Sequence, residues 1–380
     1  MRLAFTIFKY FPHGGAQKDM LAIAHACNQR GHDITLFCYE FKGERPNWLE
    51  VQLLPAKGLS NHRRALHFQE LALAAIADAH FDGVIGFNRM AGLDVYFAAD
   101  DCLAAQLAAR SALIRMLPRA RCFTAMERAA IGTNGAKTIL TLTQRQEKDF
   151  QHYYGCAPER FSRLPPLVPD AFRDLDTLRS KRKALRQELG AGENDLVLVQ
   201  VASSYHTKGV DRSLHALAAL TDGSPRPRLW LIGAEKHPES MQRLARNLDI
   251  ASLVTFCGAR NDVPAILAAA DIMIHPARRE SAGAVLVEAL AAGLPVITSG
   301  VCGYAEHVDN ADAGAVLSEP FQQQELNQQL ASLLADPQRR CACAENARAY
   351  ADSHDFYARA SIAAKTIEQA IAAQNAEKPR

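Results

Sequence analysis

The sequence predicts an α/β protein of two doubly wound lobes, and three observations lead there. The chain has 380 residues, too long for one compact core of ordinary size and suited to two domains of roughly 150–200 residues each. In both halves short apolar runs alternate with helix-period segments, the pattern of a mostly parallel sheet covered by helices on both faces. Between the halves, Leu164-Pro-Pro-Leu-Val-Pro169 sets three prolines within six residues, which neither a helix interior nor a central strand accepts. The expected boundaries are 1–165 and 170–352, with a final amphipathic helix at about 356–372 that either docks back on the first domain or stands as a solvated tail.

Taken in order, Leu3–Phe8 reads as a buried strand. A loop with Gly14-Gly15 follows, then a helix from Ala16 to Arg30 ended by Gly31-His32, then a strand at Asp33–Cys38. This is a βαβ unit. A helix at Arg64–His80, strands at Gly83–Gly86 and Leu93–Ala98, helices within Leu103–Ile131, a strand at Thr138–Leu142 and a helix at Gln144–Tyr154 complete the first half. Beyond the prolines, Leu196–Val201, Arg228–Ile232, Leu253–Cys257, Asp271–His275, Pro295–Thr298 and Ala315–Leu317 read as strands separated by helices. Two such domains bring the carboxyl ends of their strands, and so their ligand loops, to a shared central cleft.

Composition narrows the function classes. Hydrophobic residues at 48% and charged residues at 22% exclude intrinsic disorder. With 43 basic against 41 acidic residues the net charge is +2, and no nucleic-acid partner is expected. The nine cysteines form no C-x-x-C pair, which argues against a disulfide framework or a zinc site and for a reducing, cytoplasmic location. The apolar run Leu3–Phe8 is shorter than a signal-peptide core, and no stretch approaches ~18 uninterrupted apolar residues, so neither export nor a membrane span is expected.

Three loops carry residues suited to chemistry. In Tyr10-Phe-Pro-His-Gly-Gly-Ala-Gln17 the paired glycines Gly14 and Gly15 let the backbone approach a ligand, and the helix start favours an anion; a plain tight turn explains the same letters. Asp19 lies in the first turn of that helix, where it complements the helix dipole. Lys208, before the helix starting near Val210, is placed to meet a diphosphate as a point charge or to stand as a solvated loop lysine.

The most informative stretch is His275-Pro-Ala-Arg-Arg-Glu280-Ser-Ala-Gly-Ala-Val-Leu-Val-Glu288-Ala-Leu-Ala-Ala-Gly-Leu-Pro295. With a helix beginning at Ser281–Ala284, eight residues separate the two carboxylates by ~800° of rotation and ~12 Å of rise. That is too far for a shared acid/base pair and suits two acceptors gripping hydroxyls on different parts of one ligand. The free amides of Ala282, Gly283 and Ala284 would point at whatever Glu280 touches. Glu288, set among apolar residues, needs a partner.

These residues meet a known family. Glu280-x7-Glu288 with the following Ala-Gly-Leu-Pro resembles the signature of retaining GT-B glycosyltransferases of family 4, which use nucleotide-sugar donors without a required metal. The blocks Lys9–Asp19, Gly86-Phe-Asn-Arg-Met-Ala-Gly-Leu-Asp-Val-Tyr-Phe-Ala-Ala-Asp100 and Val301-Cys-Gly-Tyr304 resemble those members that build the lipopolysaccharide core by adding the first outer-core hexose to inner-core heptose. The resemblance implies GT-B architecture, a UDP-sugar as co-substrate and no metal or other cofactor. It implies that Gly15 approaches the donor diphosphate while Lys208 and Arg173 neutralise it. Glu280 would bind sugar hydroxyls together with the amides of 282–284, Glu288 would hold the ribose, and Arg260 would help enclose the base by its backbone. Asp100 would contact the sugar or the acceptor; a helix cap before Leu103 is the alternative. Many members carry Arg-Lys where this chain has Thr207-Lys208, so one expected phosphate charge is absent or supplied by Arg173.

Further basic groups fit the acceptor side. Lys9, Arg63 and Arg64 would meet acceptor phosphates, or form an exposed basic surface. Cys102–Met126 contains no acidic residue yet carries Arg110, Arg115, Arg119 and Arg121, with Leu103, Leu107, Ile114 and Leu117 on one helical face and Pro118 interrupting. The segment reads as a basic amphipathic surface for the anionic inner face of the inner membrane, or as an ordinary helix packed on the core. The competing readings are another UDP-hexose donor such as galactosamine or N-acetylglucosamine, a non-catalytic nucleotide-sugar-binding module, and an NAD-linked oxidoreductase. The last lacks G-x-G-x-x-G after the first strand.

Overall fold

A computed structural model describes residues 1–12, 14–108, 110–220 and 227–377; His13 of the first loop and Ala109 of the basic segment lie outside the described residues. The chain divides into two compact units, Met1–Pro165 together with Ala358–Arg380, and Pro166–Tyr357.

The first unit is built on a seven-stranded parallel sheet in the order Leu49–Leu53, Asp33–Cys38, Arg2–Thr6, Gly83–Gly86, Val95–Phe97, Thr138–Thr141, Phe161–Arg163. Leu3, Ala4 and Phe5 are fully buried, as expected for a central strand covered on both faces. The helix Arg359–Glu377 belongs to this unit: Ala363, Ala364, Ile367 and Ile371 recur at helical spacing and enter its core. Ile371 lies where a side chain on Gly83 would stand, so this strand begins with glycine to admit the helix.

The second unit holds a six-stranded parallel sheet in the order Val254–Gly258, Arg228–Ile232, Val197–Val201, Ile272–His275, Val296–Ser299, Gly314–Leu317. The chain builds outward from Val197–Val201 to one side, then returns to Ile272–His275 on the other. The loops leaving these two adjacent strands therefore part at the switch point of the sheet, where open α/β sheets bind ligands. Lys208 and Glu280 are carried by these two loops.

Several elements differ from the sequence expectation. The first strand ends at Thr6, and two edge strands, Leu49–Leu53 and Phe161–Arg163, went unread because their half-exposed residues mix polar and apolar types. The basic segment is three helices, Leu103–Ala108, Ala112–Met116 and Pro118–Ile131, with Ser111 and Leu117 in extended conformation at the breaks. One continuous apolar face over Leu103, Leu107, Ile114 and Leu117 does not exist, since each break re-aims the next helix. The helix expected from Ser281 starts at Ala284, because Gly283 takes φ +88°. The final helix begins at Arg359 rather than 356 and runs beyond 372.

Candidate functional site

In the second unit the loop after Val197–Val201 and the loop after Ile272–His275 are tied together. Gly209 adopts φ +68°, and a Cβ there would collide with the Pro276 carbonyl oxygen, so only glycine lets the two loops meet. The Arg278 backbone N–H donates to the Thr207 carbonyl at 2.9 Å. The Arg278 guanidinium spans the His206 carbonyl at 3.0 Å and both Asp211 carboxylate oxygens at 2.7 Å. Arg212 donates to the Pro276 carbonyl at 3.1 Å, and the buried Gln200 amide donates to the Lys208 carbonyl at 2.7 Å.

These ties bring Lys208 to Glu280. Lys208 Nζ pairs with Glu280 Oε2, the two side chains only 17% and 15% exposed. His275, fully buried at the end of its strand, sits with Nε2 3.1 Å from the same oxygen, while its Nδ1 has no partner among the described residues. Burial pushes the Glu280 carboxyl up, but His275 and the Lys208 charge more than offset it and hold the pKa below the usual glutamate value. A parallel bridge to Cys302 fixes the Glu280 backbone.

Glu280 is not on the helix. It precedes it, and the rotation expected over eight helical residues does not apply. Gly283 folds back so closely that a Cβ on it would stand 3.1 Å from Glu280 Cγ. The backbone N–H groups of Ala282, Gly283 and Ala284, which follow the glutamate in the chain, donate to no acceptor among the described residues. Glu288 is half-buried in the second turn of Ala284–Ala292 and is the only polar side chain of that helix. One cation, one carboxylate and a row of bare amides together match a ligand bearing both an anionic group and hydroxyls.

The other residues expected in this site have partners of their own. Arg173 is bound to Asp170 at 2.9 Å and stacks on the Tyr357 ring at 3.6 Å. The Arg260 side chain is committed to Asp262 and Glu188 at 2.7–2.8 Å, which leaves its backbone as the part free to meet a ligand. The Thr207 hydroxyl accepts from Ser204 at 3.1 Å. His275 was not singled out by sequence reasoning; the available signal was a polar residue closing the apolar strand Ile272-Met-Ile-His.

In the first unit, Gly14 precedes the helix Gly15–Gln29, and a Cβ on it would displace the side chains of Gln17 and Phe11; beside Gly15 the space is open. Asp19 accepts from Arg359 at 3.2 Å through both oxygens and so clamps the C-terminal helix. Burial raises its pKa despite that pairing. Lys9 and Arg64 converge on the Tyr39 ring, at 5.6 and 5.9 Å from its centroid, whereas Arg63 is simply exposed. Lys9 also pairs with Glu40.

Asp100 follows the strand Val95–Phe97 with its side chain 71% exposed and accepts from Arg89 at 3.3 Å. The cap before Leu103 is not Asp100. It is the fully buried Glu127, which accepts from the backbone N–H groups of Leu103 and Ala104 at 2.8 and 3.1 Å. Sequence reasoning missed Glu127 because it arrives from a helix 23 residues away. Arg110, Arg115, Arg119 and Arg121 are all exposed, and the apolar side chains beside them are Leu113, Ile114, Met116 and Leu117. Among the described residues no cluster of His, Cys, Asp or Glu forms a metal site, and no helix is long and apolar enough to cross a membrane.

Comparison with known proteins places these features in context. Residues 181–350 match the model of "Glycosyl transferases group 1". The lipopolysaccharide glucosyltransferase WaaG of Escherichia coli K12 is 40% identical over 368 residues, covering 97% of this chain and 98% of that protein. A crystal structure of WaaG superposes with a TM-score of 0.85 over 96% of this chain and 99% of its own. At 19% identity, the Anabaena protein HepE in complex with UDP has a TM-score of 0.71 over the whole of both chains and shares the fold.

Proposed function

This chain belongs to the group 1 glycosyltransferases, and from that premise we propose that it is a retaining enzyme moving glucose from UDP-glucose to inner-core heptose of lipopolysaccharide. The observation carrying the reading is Lys208 paired to Glu280 beside the unused amides of 282–284, at the switch point of the second sheet. A diphosphate offers Lys208 and the amides a stronger set of acceptors than one carboxylate, freeing Glu280 to accept from sugar hydroxyls. Glu288 holds the ribose, the Arg260 backbone encloses the base, and Gly15 admits the diphosphate. Asp100 meets the sugar or the acceptor. Lys9 and Arg64 around Tyr39, with Arg63 next to Arg64 in the chain, serve acceptor phosphates, and Asp19 orders that side through Arg359.

In the reaction the bond from the anomeric carbon to the phosphate oxygen breaks, and its electron pair leaves on UDP. Lys208 and the helix-terminal amides stabilise that charge, and the sugar passes through an oxocarbenium-like state. The acceptor hydroxyl adds on the face the diphosphate leaves, and its proton passes to the departing phosphate oxygen. No metal has a part in these steps. The exposed arginines 110, 115, 119 and 121, with Leu113, Ile114, Met116 and Leu117, attach the enzyme peripherally to the cytoplasmic, anionic face of the inner membrane, where a lipid-linked acceptor resides.

A panel of UDP-sugars with truncated lipopolysaccharide tests the reading by mass spectrometry and anomer assignment. The expected result is one hexose added from UDP-glucose with the donor configuration kept. Preference for a galactosamine or N-acetylglucosamine donor, an inverted anomer, or binding of UDP-sugar without transfer would each overturn the corresponding part.

A further inference from the structure

We propose that Arg89 and Glu127 are positioning residues that set the place of Asp100 in the transfer reaction; this rests on the reading of Asp100 given above. Arg89 lies inside the block Gly86–Asp100, and its three guanidinium nitrogens go to three different groups. Nε donates to Glu127 Oε1 at 2.7 Å, one terminal nitrogen to Asp100 Oδ2 at 3.3 Å, and the other to the Asp101 carbonyl at 2.7 Å. Glu127, fully buried, in turn accepts from the Leu103 and Ala104 amides and from the Tyr154 hydroxyl. From the opposite side the Gln146 amide donates to the carbonyls of Ala98 and Asp100 at 3.0 and 3.1 Å, while its own oxygen accepts from Leu142 and Thr143. The turn from Ala98 to Ala104 is therefore gripped at its backbone, and Arg89 is the group that also reaches the exposed Asp100 carboxylate.

Stability alone is a poor reason for this arrangement. A buried ion pair is roughly matched by apolar residues of the same volume, so what Arg89 and Glu127 add is fixed geometry. A rigid fork with donors at set angles is required to join three oxygens, and lysine cannot replace it. An exposed carboxylate on an unsupported turn would sample many positions, and a misplacement of about 1 Å is enough to cost about a hundredfold in rate.

The test is a double-mutant cycle with Arg89→Lys, Asp100→Asn and the pair, measuring kcat and both KM values, with thermal unfolding followed in parallel. Asp100→Asn is expected to lower kcat/KM for the acceptor about a hundredfold and Arg89→Lys about tenfold, the latter mainly through acceptor KM. The double variant should be no worse than Asp100→Asn within about twofold, because Arg89 acts through Asp100. Losses that multiply, or a rise in both KM values that tracks a fall in Tm, would overturn the positioning role while leaving the reading of Asp100 intact. An Asp100→Asn enzyme with unchanged kinetics would overturn both. Should Arg89→Lys fail to fold, Glu127→Gln, which keeps the shape and loosens the same fork, carries the cycle with the same expectations.

Discussion

Lys208 reaches Glu280 across 72 residues of sequence, and the pair is nearly closed from solvent although both residues sit on loops. Each is the other's charge partner until a ligand separates them. A ligand with a diphosphate can do so, because it gives the ammonium more than the carboxylate it gives up.

Removing either member should therefore act on the transition state rather than on substrate affinity alone. Glu280→Gln and Lys208→Met are each expected to lower kcat by about a hundredfold to a thousandfold, Lys208→Met because the departing diphosphate loses its counter-charge and Glu280→Gln because the sugar loses the carboxylate that positions its hydroxyls. Steady-state kinetics with UDP-glucose check this. Unchanged kcat in either variant would remove the pair from the mechanism.

Two glycines separate a ligand-facing role from a structural one. Gly15 has open space on its Cβ side, so Gly15→Ala should leave Tm unchanged or slightly raised and weaken UDP binding at least about tenfold by calorimetry. Gly209 is both at positive φ and against the Pro276 oxygen, so Gly209→Ala should cost more than about 2 kcal/mol of stability. Equal effects of the two changes would contradict this division.

The pH dependence has a definite sign. The Glu280 carboxyl is held below the ordinary glutamate value of about 4.5 in the folded chain, so its ionised form adds stability above that value and the gain is lost as pH falls through the lower folded pKa. Wild type should exceed Glu280→Gln by about 2 kcal/mol from neutral pH down to about 5, with the gap closing below. A gap that widens on acidification would show the opposite shift. Tm measured across this range reads it.

The basic surface predicts graded vesicle binding. Each of Arg110, Arg115, Arg119 and Arg121 should add about 1 kcal/mol toward an anionic bilayer, so replacing all four by glutamine should abolish co-sedimentation with phosphatidylglycerol vesicles and leave transfer to a soluble acceptor intact. Co-sedimentation retained at low salt would point to Leu113, Ile114, Met116 and Leu117 alone.

Much of this was legible along the chain. Parallel strands buried on both faces must be continuous apolar runs, so Asp33–Cys38, Gly83–Gly86 and Arg228–Ile232 were readable to the residue. The loops after Val197–Val201 and Ile272–His275 were equally plain, because a lysine before a helix and a glutamate before a glycine are local patterns. Edge strands such as Leu49–Leu53 were not, since half their residues face water and their pairing is supplied by a neighbour.

The sequence by itself determined the α/β class, the place of the proline break and the residue types at the ends of the strands, because each depends on periodicity and backbone chemistry within a dozen residues. Only the tertiary structure decided that His275 and Lys208 share one oxygen of Glu280, that Glu127 rather than Asp100 caps Leu103, and that Asp19 serves Arg359. Those choices are pairings between distant segments. They are settled by which buried charges must find partners once the sheets have formed, and no local pattern records that outcome.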